Sequence, residues 1–271
     1  MPELPEVETT RTAIEPFLVG NCINEVHIRN SRLRWPIPAD LPLKLCHAPI
    51  ESVTRRGKYL LLTNKRGTAI IHLGMSGRLC TLATPSAAKK HDHVDLILSS
   101  GGCLRYTDPR RFGCWLWTEG DPLTHPLLKK LGPEPLSPAF SRDYFQGVLS
   151  RHRVNIKQAI MNSHLVVGVG NIYANEALFA AKIHPLRAGN SLTREECGAL
   201  VKSIRAILRK AIQAGGTTLK DFQHSDGKPG YFQQQLFVYG RGGLGCDACY
   251  RPLEEKRING RSTVFCKECQ V

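Results

Sequence analysis

The sequence predicts an α+β protein of more than one domain: an amino-terminal antiparallel β-sandwich flanked by helices, then a helical domain, then a small cysteine module. Three observations carry that reading. Residues 22–118 read as strands, with no long helical period between them. Residues 141–213 read as a run of helices. Four of the ten cysteines form the pattern Cys246-x2-Cys249-x16-Cys266-x2-Cys269. A chain of 271 residues is long enough to bury a full core in each of two compact parts.

The first helix starts at the amino terminus. Pro5 suits a first helical turn, Glu6 and Glu8 suit its positive end, and Val7, Arg11, Ile14 and Leu18 recur at helical spacing. Two hairpins stand out in the strand region. Residues 59–63 and 69–73 flank Asn64-Lys65-Arg66-Gly67, and Val94 to Leu98 and Cys103 to Tyr106 flank Ser99-Ser100-Gly101-Gly102. Five prolines between Glu119 and Ser141 mark an interdomain linker. Ser141 can then cap a helix through Leu149, and Asn155 to Asn162 reads as another. Val167-Gly168-Val169-Gly170-Asn171 opens a third that runs through Ala181. Thr193 with Glu196 is a capping box for a helix whose apolar face is Cys197, Leu200, Val201, Ile204, Leu208 and Ala211, ending at Gly215-Gly216.

Charge narrows the function. The net charge is +14, from 37 basic and 23 acidic residues, which favours a polyanionic partner, nucleic acid before membrane. Residues 151–271 hold 18 Lys and Arg against 9 acids, a net of +9, so the carboxyl-terminal part is the stronger candidate for gripping phosphate. No apolar run reaches the roughly 18 residues a membrane span needs, and the acidic start is unlike a signal peptide. The six cysteines outside the tight pattern lie among apolar neighbours and read as reduced core thiols, so the expected compartment is the cytoplasm, with nucleoid association.

Four constellations carry chemistry. The four-cysteine pattern offers four thiolates to one tetrahedral Zn²⁺, a structural ion because no coordination position stays open. Disulfides are the competing reading. At the other end, Met1 precedes a small residue and is expected to be trimmed, leaving Pro2 as a free secondary amine. Such an amine can attack an electrophilic carbon, and its adduct with a sugar aldehyde is a cationic iminium. Glu3 is the adjacent candidate proton donor. The close glycines before Asn171 expose backbone N–H groups suited to a phosphate, in a turn like that of a helix–turn–helix. Asp108-Pro109-Arg110-Arg111-Phe112-Gly113 sets guanidinium groups beside an aromatic in a turn, as a base-displacing wedge requires. Simple packing readings stand beside these: a capped surface helix, a tight helix contact, a β-turn with a core phenylalanine. His91-Asp92-His93 suits a phosphate contact or a satisfied surface histidine better than a metal pair, for lack of a third ligand nearby. Lys58, after Arg55-Arg56-Gly57, reads by itself as solvated charge.

Taken together, Pro2 to Glu8, His72-Leu-Gly-Met-Ser-Gly77, Asp108 to Gly113, Gly168 to Glu176 and the four cysteines resemble bacterial formamidopyrimidine-DNA glycosylases, over nearly the whole chain and in the family's order. The resemblance implies a bifunctional DNA glycosylase and AP lyase of base excision repair. Such an enzyme excises oxidised purines (8-oxoguanine and formamidopyrimidines) from duplex DNA and cuts the abasic strand by β,δ-elimination. It implies Pro2 as the nucleophile at the sugar C1′, Glu3 as the assisting acid, and Lys58 in both the glycosylase and elimination steps. Met75, Arg110 and Phe112 would fill the vacated stack. His91, Arg110, Arg153, Lys157 and Asn171 would contact DNA, and Arg261 would contact phosphate and serve the final elimination. The implied organisation is a catalytic sandwich over 1–130, a helical domain with a helix-two-turn-helix over 131–225, and a region 226–271 with a zinc finger at about 237–271. DNA would lie in the cleft between the two main domains, and the protein would act as a monomer on duplexes carrying oxidised purines or abasic sites. Residues 217–230 would form a lid over the extruded base. Two rivals remain: an endonuclease VIII-like enzyme for oxidised pyrimidines, against which Leu4 speaks, and a zinc-dependent DNA-binding protein without activity, against which the presence of Pro2, Glu3 and Lys58 speaks.

Overall fold

The computed structural model describes residues 1–216 and 236–271. The lid expected at 217–230 lies outside the described residues. Two compact units emerge, one built on Met1–Lys129 and one on Lys130–Gln213 with the described part of Gln234–Val271.

In the first unit, helix α1 (Leu4–Leu18) precedes two four-stranded sheets in which every strand pair is antiparallel. One sheet runs β1-β6-β7-β5, from β1 (Ile23–Ile28), β6 (Asp92–Leu98), β7 (Cys103–Thr107) and β5 (Arg78–Leu82). The other runs β2-β3-β4-β8, from β2 (Ser52–Arg56), β3 (Tyr59–Asn64), β4 (Gly67–His72) and β8 (Cys114–Thr118). Both expected hairpins form, β3–β4 and β6–β7. Residues 22–118 are not strands throughout, however, because Pro42 sits in the first turn of a short helix, α2 (Leu41–Leu45), whose Leu41 and Leu45 are buried. One apolar core joins both sheets to α1, with Val7, Ile14 and Leu18 buried against residues such as Leu60, Leu62, Ile71, Leu96 and Trp115. Arg11, although in the same helical register, stays at the edge of that face and pairs with Glu8 and Glu15.

The second unit is helical, and its caps are the ones the sequence announces. Ser141 Oγ accepts the Tyr144 N–H to start α3 (Arg142–Leu149), and Asn155 Oδ1 accepts the Gln158 N–H to start α4 (Ile156–Met161). Gly170 precedes α5 (Asn171–Ala180). The Thr193–Glu196 box opens α6 (Arg194–Gln213), whose six anticipated core residues are all buried. A hairpin, β9 (Glu254–Ile258) and β10 (Arg261–Phe265), closes the chain around a small core of Val238, Cys246, Leu253, Val264 and Cys266.

Candidate active site and nucleic-acid interface

At the start of α1, Pro2 is buried and Glu3 is 3% exposed. Glu6 turns back to accept the Glu3 N–H at 2.8 Å, so this second carboxylate belongs to the helix start and fixes the residue next to Pro2. Glu8 reaches sideways to Arg55 at 2.6 Å, and Arg55 also donates to the Gly57 carbonyl at 2.8 Å. Burial pushes the Glu8 carboxyl up, but Arg55 and Arg11 more than offset that and leave it below its ordinary value. This chain of contacts ties α1 to the β2–β3 turn that carries Lys58. Arg56 pairs with Tyr59, and Gly57, at φ +58°, takes the first position of the two-residue turn, as a type II′ hairpin requires.

A residue given no role by its sequence sits beside this turn. His72, the last residue of β4, pairs with Tyr59, and the two rings lie 4.8 Å apart. The Gly74 N–H donates to His72 Nδ1 at 2.9 Å, so the proton of the neutral ring is on Nε2. Desolvation, reinforced by the Lys58 and Arg34 cations, pushes this imidazole down to about 4. The signal was available: a histidine ending an apolar strand, immediately before the glycine-rich turn of the family motif.

The residues expected to form the wedge come from two segments that the fold brings together. Met75 is half-buried in the 73–77 turn, whereas Arg110 and Phe112 are exposed, with the Arg110 guanidinium 4.7 Å from the centre of the Phe112 ring. The two segments approach so closely that Gly74, at φ +65°, leaves no space for a side chain. A Cβ there would lie 2.4 Å from the Phe112 carbonyl carbon. Gly113 is as tightly constrained, since its Cβ would lie 1.9 Å from the Tyr106 hydroxyl. A cavity of about 560 Å³ opens beside the wedge, lined by Arg32, Leu33, Arg34, Arg110, Arg111 and Phe112. Four arginines and one exposed aromatic line this cavity, with Arg110 stacked on the Phe112 ring. His91 stands just before β6 and is partly exposed, whereas His93 is buried with Nε2 2.8 Å from the Asp108 carbonyl. The two histidines therefore part company at the strand start, and His93 is the satisfied one.

In the second unit the hairpin turn is Asn259-Gly260, with φ of +48° and +74°, the pattern of a type I′ turn. Arg261 follows it and is exposed. Lys157 is 2% exposed, and its ammonium donates to the Ser262 carbonyl at 2.8 Å and to Thr263 Oγ1 at 2.7 Å. Asn171 Nδ2 donates to the same carbonyl at 3.0 Å. Two of the anticipated phosphate contacts thus hold the strand that carries Arg261. Asn175 Oδ1 accepts the Val264 N–H, and the Glu176 carboxylate accepts the N–H groups of Phe237, Val238 and Tyr239. One face of α5 is therefore a row of side chains docked onto the backbone of the cysteine module. Lys157, Met161, Asn162, Asn259 and Arg261 share a cavity of about 230 Å³. Arg153 lies apart from this group, exposed in the connection before α4.

All four sulfurs of Cys246, Cys249, Cys266 and Cys269 fall within 4.8 Å of one another, and none is in a disulfide. Two of the Sγ–Sγ separations are 3.9 and 3.4 Å. A tetrahedral ion with metal–sulfur bonds near 2.3 Å spaces its ligands by about 3.8 Å, so the cluster fits a metal ion.

A β-sandwich unit with Pro2 buried at its helix start and a cationic turn, together with a helical unit carrying a four-cysteine hairpin, is the arrangement expected of the DNA glycosylase class. Residues 1–115 match the formamidopyrimidine-DNA glycosylase N-terminal domain, and residues 131–223 match the formamidopyrimidine-DNA glycosylase H2TH domain. A formamidopyrimidine-DNA glycosylase from Photobacterium damsela subsp. piscicida is 56% identical over 270 residues, covering all of both chains. Among solved structures, the Lactococcus lactis Fpg complex with abasic-site DNA is similar at a TM-score of 0.91 and 35% identity, over 99% of each chain. A variant of that protein bound to Fapy-dG-containing DNA gives 0.92, at the same identity and coverage. The chain belongs to the formamidopyrimidine-DNA glycosylase family.

Proposed function

We propose that the chain removes oxidised purines from duplex DNA through an iminium on Pro2 and then cuts the abasic strand on both sides of the sugar. The observation that carries this reading is the joining of the amino terminus to the Lys58 turn through Glu8 and Arg55. The Pro2 nitrogen attacks C1′, the glycosidic bond breaks, and the base leaves with a proton that Glu3 is placed to supply. Ring opening puts the electron pair of the C1′–O4′ bond on O4′, which takes up the amine's proton, and leaves the iminium. The iminium acidifies C2′. Loss of that proton expels the 3′ phosphate, and a second elimination expels the 5′ phosphate. Lys58, on the turn tied to the amino terminus, is the cation we assign to proton transfer in these steps.

Duplex DNA is the partner this reading implies, with an abasic site or an oxidised purine as substrate. Met75, Arg110 and Phe112 fill the gap left by the extruded nucleotide. His91, Arg153, Lys157, Asn171 and Arg261 serve the phosphate backbone, Lys157 and Asn171 in part by holding the hairpin. Zinc is the ion assigned to the four thiolates, and when bound it supplies order rather than catalysis. The chain acts as a monomer in the cytoplasm on this proposal. No helix among the described residues is long and apolar enough to cross a membrane.

Borohydride trapping tests the nucleophile. Incubation with a duplex carrying 8-oxoguanine opposite cytosine should give a covalent protein–DNA adduct, and peptide mapping should place it on Pro2. An adduct on Lys58, or none from an active preparation, would reject the assignment. A rate loss of at least ~10³-fold is expected when Met1 is retained by a blocking extension, because the amine is then an amide.

A further inference from the structure

The wedge residues sit on two turns, and something must keep those turns in register while a base is displaced. Asp108 is 0% exposed and is used to capacity. Its Oδ1 accepts the Ser76 hydroxyl at 2.7 Å, and its Oδ2 accepts the Tyr106 hydroxyl at 3.0 Å and the Gly113 N–H at 2.9 Å. Its backbone is engaged as well. The Asp108 N–H donates to the His91 carbonyl at 3.0 Å, and its own carbonyl accepts the Arg111 N–H at 3.2 Å and meets His93 Nε2 at 2.8 Å. Ser76 completes a bridge, because its oxygen accepts the Arg110 N–H at 3.2 Å while its proton goes to Asp108. Met75 is the neighbour of Ser76, and Gly113 is the neighbour of Phe112. One carboxylate therefore touches both turns, next to Met75 and Phe112 and, through Ser76, at the backbone of Arg110.

We infer that Asp108, through Ser76, is a positioning residue that presets Met75, Arg110 and Phe112 as one unit for reading the base opposite the lesion. This inference rests on the wedge assignment of those three residues. Acceptors without a proton of their own are needed at both oxygens, since every group facing the carboxylate is a donor. An amide in this place would keep one oxygen for Tyr106 and Gly113 but turn an N–H toward Ser76, reversing the bridge to Arg110. Unstacking a base costs a few kcal/mol, and a preset wedge avoids adding the cost of ordering two loops at that moment. Discrimination follows from the same rigidity, because a guanidinium reads an orphaned base by hydrogen bonds that tolerate little displacement.

The test compares Ser76→Ala, Ser76→Thr and Asp108→Asn with the parent and with Arg110→Ala. The readout is the ratio of strand cleavage at an abasic site opposite cytosine to that opposite adenine, with cleavage of the same site in single-stranded DNA as the reference. Ser76→Ala and Asp108→Asn should lower the ratio by about threefold or more, toward the Arg110→Ala value. Ser76→Thr, which keeps the hydroxyl, should restore it, and Ser76→Ala should leave single-strand cleavage within about twofold of the parent. An unchanged ratio in Ser76→Ala and Asp108→Asn, with a lowered ratio in Arg110→Ala, would overturn the inference and leave the wedge standing. An unchanged ratio in Arg110→Ala would remove the wedge reading and this inference with it. Parallel loss on duplex and single strand would show a merely structural role and also overturn it. Ser76→Ala deletes one oxygen only, so the test survives a folding failure of Asp108→Asn.

Discussion

The two units place their functional side chains by different means. In the sandwich, a continuous apolar core from Val7 to Trp115 fixes the strands, and the turns that carry Lys58, Met75 and Arg110 inherit that rigidity. In the cysteine module, the core packed around the hairpin carrying Arg261 is small: among the described residues it is Val238, Cys246, Leu253, Val264 and Cys266. The hairpin's order comes from the four thiolates and from the side chains of Lys157, Asn171, Asn175 and Glu176 docked on its backbone and on the segment before it. Apolar burial spreads the stabilisation of the strands over many side chains, so no single one of them carries it. A site for a metal and a handful of directional bonds can order a small module, but any one of them can be lost by a single substitution.

The largest effect expected from this contrast is on the metal site. Cys249→Ser, or a strong chelator, should remove the ion and unfold the hairpin locally, with duplex affinity falling by ~10²-fold or more, because the binding energy of a structural ion is folding energy. Hydrogen exchange should show protection lost at 254–265 and kept in β3 and β4. Equal loss in both units would break the comparison. Arg261→Ala should keep the ion and bind duplex with a salt slope shallower by about one.

Substitutions within each unit give the next effect. Leu62 is fully buried, and Leu62→Ala should cost the sandwich about 2–5 kcal/mol of global stability in urea unfolding. Asn175→Ala strands the Val264 N–H and should cost about 1–3 kcal/mol, confined to the hairpin. A melting shift of the sandwich in Asn175→Ala would show the two units to be one cooperative block.

The smallest effect is a pH dependence. His72 titrates at about 4 in the folded chain, against about 6.5 unfolded. Between those values the unfolded chain holds a proton that the folded chain does not, so stability falls as pH is lowered through that window and is unaffected above it. The partly exposed ring reduces the full linkage to about 1–2 kcal/mol. His72→Gln should lack this component, so the parent should lose stability relative to it between pH 6.5 and 4. His125 and His184, also pushed down by burial, act equally in both proteins and cancel in the difference. A constant difference across the window would mean that His72 is not desolvated.

Local signals were legible where local chemistry decides them. Ser141, Asn155 and the Thr193–Glu196 box announce helix starts because a cap is satisfied within three residues. The hairpins announce themselves because alternation and a short turn are contiguous. The helix at Leu41–Leu45 was hidden, since five residues hold too little period to compete with the surrounding strands. The cysteine cluster was legible from spacing alone. Glu176 was not, because its partners lie 61 to 63 positions away, and neither was the bridge from Asp108 to Ser76, 32 positions back. The same distance hid the use of Lys157, whose partners lie 105 and 106 positions on. A buried lysine on a helix looks in sequence like a phosphate contact, and only the fold shows a carbonyl in front of it.

The interlocked glycines at 74 and 113 limit how this enzyme can be diversified in the laboratory. With the Phe112 carbonyl carbon 2.4 Å from one missing methyl and the Tyr106 hydroxyl 1.9 Å from the other, neither glycine accepts a side chain without a shift of its neighbours. A library that randomises the whole of 73–77 and 108–113 would consist mostly of misfolded clones. One confined to positions 75, 110 and 112 changes what is presented to the orphaned base while leaving its mounting intact. If those three side chains form the wedge as proposed, selectivity for the opposing nucleotide is an interchangeable fitting on this scaffold, and variants that read adenine or thymine should be found among them.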